Sequence, residues 1–377
     1  MNKEIYKKHL NEITDWDQKK YEDLVSPHLN EEQVKIITNP STHYEERNDF
    51  LAIHWHPENV PIELVKKRIQ TMFPNRLEEL IIPTQHNEIL SYGEYAGAEV
   101  DCYSKDFNRK VQLLFHFGKK KVKEAHVLKG MIEHTRKYRS GQLFNFIETI
   151  INPKFIEKFE EAIRNTEAEE EVVTFTKSYT AKLNKLIKKN MAQTSSQAIK
   201  NKLLVNYFRS LKNFYDSHFI NKAILLLKET KKIVKANFPL DYFYETNEII
   251  EEARSVGAGI IVPHPEQFWP VLLADYDIDG YEVWNPQSRE FTEFLINVIN
   301  KKNSLGKKSD RPLLITMGDD THLGEKIRPL EEQDQDKASR EIGYQPAWQE
   351  AEVKKSLVLG GFSLKKIIME YKSRIAL

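Results

Sequence analysis

The chain has 377 residues, enough for one large domain or two ordinary ones with cores of their own. Lysine plus arginine and aspartate plus glutamate number 56 each, and the resulting net charge of zero argues against a protein dedicated to coating nucleic acid. One cysteine, Cys102, excludes a disulfide framework and a Cys-type zinc site, and with no apolar leader or span-length apolar run the expectation is a soluble cytoplasmic protein.

Residues 1–46 are polar with apolar positions at helical spacing (Ile5, Leu10, Ile13, Trp16) up to a break at Asn39 and Pro40, which predicts an N-terminal helical arm. From Asp49 short apolar runs alternate with helical segments. The first run ends at His54-Trp55-His56. Residues two apart in a strand face the same way, so the two imidazoles aim at one point, while Trp55 turns to the core. A helix with Ile62, Val65 and Ile69 on one side follows. A second run ends at His86, a third carries Glu99 in an extended stretch, and a fourth ends at His116 before Gly118.

Between 119 and 239 lysine and glutamate are dense, and apolar residues recur at three- and four-residue steps, as in Leu183, Leu186 and Ile187. This predicts an all-helical insertion, divided near Asn152-Pro153 and near Gln193, that can act as a lid. Strands return after Pro239: one runs from Ile260 to His264, one from Gly280 to Asn285, and one from Arg311 to Asp320 and His322. A polar tail carries a last apolar helix near 365–375.

Six of the twelve histidines (His54, His56, His86, His116, His264 and His322) therefore sit at or near a predicted strand end, with Glu99 and Asp320. In α/β barrels the loops at the C-terminal strand ends form the active face, so ligands distant in sequence converge there. Imidazoles and carboxylates suit zinc, manganese or iron, and a carboxylate can bridge two ions that together activate a water. His9, His28, His43, His126, His134 and His218 read as surface or helix-packing residues.

Seven pieces in order carry a resemblance: Ile53-His54-Trp55-His56, Thr84-Gln85-His86, Gly97-Ala98-Glu99, Phe115-His116, Pro263-His264-Pro265, Glu282-Val283-Trp284-Asn285 and Gly318-Asp319-Asp320-Thr321-His322. Residues of about 50–118 and 240–323 resemble the PHP (polymerase and histidinol phosphatase) family of metal-dependent phosphoesterases. The resemblance implies a distorted (β/α)7, TIM-like barrel over 47–118 and 240–377, with two or three divalent ions at its C-terminal face. It puts one ion on His54, His56, Glu99 and Asp320, a second on Glu99, His116 and His264, and a third on His86 and His322. Glu99, Asp320 and His264 would be the catalytic set. Where members often carry another histidine or aspartate after the first motif, this chain offers Glu58 or Glu63; Gln85 and Asp319 also depart from the usual pattern. Asn285 and Arg289 are candidates to face substrate, Arg289 through a phosphate oxygen, with a helix-start role as the alternative. Asp319 reads as a partner of His322 or as a turn residue.

The expected activity is hydrolysis of phosphate esters, with a phosphorylated small molecule preferred as substrate and no membrane partner. A nuclease or phosphodiesterase acting on nucleic acid is the alternative. An amidohydrolase, or a barrel that has lost catalysis and serves as a scaffold, stands further off.

Overall fold

The computed structural model describes residues 12–194, 198–306 and 311–375. The helical pattern expected around Ile5 and Leu10, His9, and part of the break after Gln193 lie outside the described residues.

The chain is a mixed α/β protein. Helices α1 (Asp15–Val25) and α2 (Glu31–Thr38) lead into β1 (Asp49–Ala52), β2 (Trp55–His56), α3 (Ile62–Met72), β3 (Glu78–Ile81), β4 (Leu90–Tyr92), β5 (Tyr95–Ser104) and β6 (Arg109–Gly118). Five helices follow: α4 (His126–Ile151), α5 (Ile156–Thr166), α6 (Glu170–Asn190), α7 (Lys202–Ser210) and α8 (Ser217–Ala236). Then come α9 (Thr246–Ser255), β7 (Gly259–Val262), β8 (Gly280–Trp284), α10 (Thr292–Leu305), β9 (Leu314–Met317) and β10 (Thr321–His322). The chain closes with α11 (Leu323–Lys326), α12 (Gln335–Ser339), α13 (Ala351–Leu359) and α14 (Leu364–Arg374).

Two compact units share these elements. Met1–His28, Lys137–Pro239 and Leu330–Glu332 make a helical unit; Leu29–Arg136, Leu240–Pro329 and Gln333–Leu377 make an α/β unit, and the boundary falls inside α4. In the helical unit, Val172, Phe175, Tyr179, Leu183, Leu186 and Ile187 form the buried stripe of α6, packed in one core with Tyr207 and Phe208 of α7 and Ile220 and Leu227 of α8. Asp17 ties the unit's first helix to that core. It closes the α1 capping box with Thr14, accepts from the Tyr207 hydroxyl at 2.6 Å and pairs with Lys182 at 3.2 Å, all three side chains being buried.

In the α/β unit, β1 pairs parallel with β3, β2 pairs parallel with β10, and a six-stranded sheet runs β4-β5-β6-β7-β8-β9. Among the described residues this pairing gives three sheets and no continuous closed barrel. Strand β6 runs antiparallel to both β5 and β7, whereas β7, β8 and β9 are parallel. The reason is local: only Lys105 to Asn108 separate β5 from β6, Asn108 takes a left-handed φ of 48°, and a parallel crossover needs a dozen residues or more.

Two cores draw on the six-stranded sheet. Ala98, Val100 and Cys102 of β5 and Val111, Leu113, Phe115 and Phe117 of β6 pack outward with Ile249 and Ala253 of α9. Leu51, Leu80, Leu114, Ile261 and Leu314, from five different strands, meet in a second core with Ile367, Ile368 and Tyr371 of α14. Each such leucine or isoleucine contributes ~1.5–3 kcal/mol when fully buried.

Candidate metal centre

His54 follows β1, His56 ends β2, and both are completely buried with their Nε2 atoms turned toward Asp320 Oδ1, at 3.7 and 3.3 Å. The β2–β10 register explains the approach: His56 lies opposite His322, and the Asp320 amide donates to the His54 carbonyl at 2.9 Å. His322 Nε2 comes within 3.3 Å of the same Asp320 oxygen. On the other side, a parallel bridge sets His86 beside Glu99 of β5, with His86 Nδ1 2.5 Å from Glu99 Oε2. The rings of His86, His56 and His322 form a stack, His56 in the middle at centroid distances of 4.4 and 4.3 Å. Glu99 also reaches His56 at 3.6 Å and His264, just past β7, at 3.7 Å.

Three overlapping groups result: His54, His56 and Asp320; His54, Glu99 and His264; and His56, His86 and His322. Within each, one ligand atom per residue lies within 4.8 Å of the others. Most of the imidazole–carboxylate separations, 3.3–3.7 Å, are long for charge-assisted hydrogen bonds. They match what two ligands of one ion require, since donor atoms at 2.0–2.1 Å from a tetrahedral centre are about 3.4 Å apart. His54 Nε2, both nitrogens of His56 and His264 Nδ1 are buried and lack a well-aligned hydrogen bond. Buried polar atoms that converge without such a bond fit a set of metal donors, and imidazole with carboxylate suits divalent transition ions.

Electrostatics agree. Burial alone would raise the pKa values of Glu99 and Asp320. The facing imidazoles outweigh it and hold both well below the usual carboxylate range: His86, His264 and His56 for Glu99, and His322, His56 and His54 for Asp320. Burial opposes charge on His54 too, but Glu282 reverses that and brings it to about 10. His56, buried between His322 and His86, is pushed well below 6.5. The carboxylates thus call for positive charge at this point.

Surrounding groups fix the ligands. Glu282 of β8 takes His54 Nδ1 at 2.6 Å, turning Nε2 inward, and its other oxygen accepts from the His264 amide at 3.2 Å and Asn285 Nδ2 at 2.9 Å. A Cβ on Gly318 would collide with the Glu282 carboxylate. Glu58 Oε1 lies 3.3 Å from His322 Nδ1, and Gly324 leaves the space that Glu58 fills. Left-handed φ values on residues other than glycine concentrate here: Glu58 at 53°, Asn87 at 50°, His264 at 28° and Asp320 at 46°. Such conformations persist only where the surroundings over-determine them, as at binding sites.

His116 does not join the others, and the second ion's expected ligand set is corrected accordingly. Both its nitrogens are taken, Nδ1 by the Tyr371 hydroxyl at 2.6 Å and Nε2 by the Ile53 carbonyl at 2.9 Å. Burial pushes its pKa down to about 3. The cause is strand direction. His116 pairs with Gly97 and with Gly259 at the start of β7, whereas His264 follows the end of β7, so His116 stands short of the strand end that carries His264. Asn285 holds Glu282, and Arg289 is exposed, its guanidinium 5.9 Å from the Trp284 ring. Asp319 accepts from the amides of Thr321 and Gly343 and not from His322. Glu63 is an exposed partner of Lys66, so Glu58 is the acid that approaches the centre. Five histidines outside the set, His28, His43, His126, His134 and His218, are exposed.

Glu282 was not legible as a site residue, and neither were Arg340 and Gln287, which donate to Asp320 Oδ2 at 2.7 and 2.6 Å. For Glu282 a signal existed, a carboxylate inside an otherwise apolar buried strand, which rarely occurs without a partner. Arg340 had none, standing in a polar tail far from every motif.

No helix among the described residues is long and apolar enough to cross a membrane. No family model matches the chain, and no curated protein matches it. Two solved chains match. One, from Bifidobacterium adolescentis and described as a "putative metal-dependent phosphoesterase", is 13% identical, covers 86% of this chain and 98% of its own, and superposes with a TM-score of 0.41. That likeness is too loose to carry weight on function.

Proposed function

We propose that the centre binds two or three divalent transition-metal ions, zinc, manganese or iron, and hydrolyses phosphate esters, with a phosphomonoester as the preferred substrate. The observation that supports this reading most is the set of three ligand groups linked through His54 and His56. Ions held there would acidify a shared water and offset charge on the phosphoryl oxygens. The protein's part is positioning: Glu282 orients His54, Glu58 approaches His322, and Glu99 and Asp320, each facing several of the histidines, would supply the carboxylate ligands. A seven-stranded barrel of PHP type is consistent with the pairing. The segment 49–56 joins β3 on one side and β10 on the other, His86 bridges to Glu99, and Leu51, Leu114 and Ile261 share one core.

Purified protein should contain transition metal and cleave a generic phosphomonoester, and H264A and D320N should each lower cleavage at least 100-fold. Metal-free protein whose weak activity is untouched by both changes would refute the reading.

A second reading, a phosphodiesterase acting on nucleic acid, is favoured by an exposed aromatic group on the loops that follow β7 and β8. Trp269, 40% exposed, stands edge-on to Phe291 and Phe294, with Arg289 nearby in sequence. Bases stack on such groups, and the backbone contributes a steep salt dependence. Cleavage of single-stranded DNA without monoesterase activity would favour this second reading.

A further inference from the structure

We propose that Arg340 is a positioning residue that reserves one oxygen of Asp320 for metal, a role that rests on the metal-centre reading above. The two oxygens of this carboxylate have separate surroundings. Oδ1 faces His56 and His322 at 3.3 Å and His54 at 3.7 Å. Oδ2 accepts from Arg340 Nη1 at 2.7 Å and from Gln287 Nε2 at 2.6 Å. With two strong donors on Oδ2, only Oδ1 is turned to the histidines, so Asp320 serves through one oxygen and cannot clasp an ion with both.

Arg340 is built for this task. It is 6% exposed, and its Nη1 also donates to the Asp320 carbonyl at 3.2 Å while Nη2 holds Asp336 at 2.5 Å. A guanidinium keeps its charge at any working pH, and one arm of its planar fork holds the Asp320 carboxylate and carbonyl while the other holds Asp336, where an ammonium would hold a single point. Asp320 has a left-handed φ of 46°, a conformation that needs outside support. That support comes from one short segment: Arg340 binds Asp320, and three residues on the Gly343 amide donates to Asp319 Oδ2 at 2.8 Å. Residues after α12 therefore belong to the centre although no motif points to them.

The test uses the full chain, with cobalt(II) as a spectroscopic probe. Wild type, R340Q, R340K and D320N are titrated with the ion at a temperature where circular dichroism shows each folded. The proposal expects R340Q to weaken cobalt binding 10–100-fold at the weakened position, the usual effect of removing a ligand's outer partner, and to alter the visible d–d band. R340K should recover part of the affinity, and added guanidinium should restore the R340Q band. If R340Q keeps the wild-type affinity and band, or only melts at lower temperature, while D320N loses the ion, Arg340 is structural and the proposal is overturned with the metal reading intact. If wild type binds no cobalt, zinc or manganese, the metal reading falls and this proposal falls with it.

Discussion

At the residue scale, the centre is decided by which atoms are left without well-aligned protein partners. His56 and His116 are both fully buried, yet His116 satisfies both nitrogens with Tyr371 and Ile53, whereas neither nitrogen of His56 makes a well-aligned hydrogen bond. H116F should therefore leave metal content unchanged while destabilising the fold by roughly 1–3 kcal/mol, because a buried hydroxyl and a carbonyl lose their partner. Metal analysis beside thermal melting checks it, and loss of an ion from folded H116F would restore His116 as a ligand. Gly318 makes the complementary case. Alanine there pushes into Glu282 and frees His54 to rotate, so G318A should bind metal 10–100-fold more weakly, read by competition with a chromophoric chelator.

At the scale of elements, a short connection outweighed a motif. The turn from Lys105 to Asn108 forces β6 to run against its neighbours, and that reversal removes His116 from the face where the parallel strands end. The constraint was present in the sequence, since so few residues cannot make a parallel crossover, but a histidine closing an apolar run looks the same in either direction. In the helical unit, α1 is held by a buried ion pair and a hydroxyl: Asp17 with Lys182 and Tyr207. D17A leaves Lys182 buried without its counter-ion and removes the cap at Thr14. The expected loss is about 3–5 kcal/mol, measured by denaturant unfolding, and a loss under about 1 kcal/mol would show that water reaches the lysine.

At the scale of the whole molecule, the candidate ligands come from five stretches of chain between His54 and His322, all within the α/β unit. Metal that binds only the folded state should stabilise that unit, by about 2.7 kcal/mol at 100 times Kd. Hydrogen exchange should slow in 47–104, 259–285 and 314–345 when zinc or manganese is added, with no change in 156–190. Uniform slowing across both units would contradict a centre confined to one of them. Metal would bind neutral imidazole and ionised carboxylate, so protons compete with the ion and this protection should weaken as pH falls, with His54, brought to about 10 by Glu282, among the first groups to take up a proton.

By itself the sequence pointed to most members of the candidate centre and to the chemistry proposed for it. His54-Trp55-His56 and Asp320-Thr321-His322 each carry a two-residue spacing that extended backbone turns into a shared face, and this local geometry holds in any fold that makes them strands. Tertiary structure decided what no local period encodes: the direction of β6 that excludes His116, the approach of Glu58 in place of Glu63, and the arrival of Glu282 and Arg340 behind His54 and Asp320. Those contacts join residues up to 264 positions apart, and nothing within a strand or helix specifies which distant side chain will meet it.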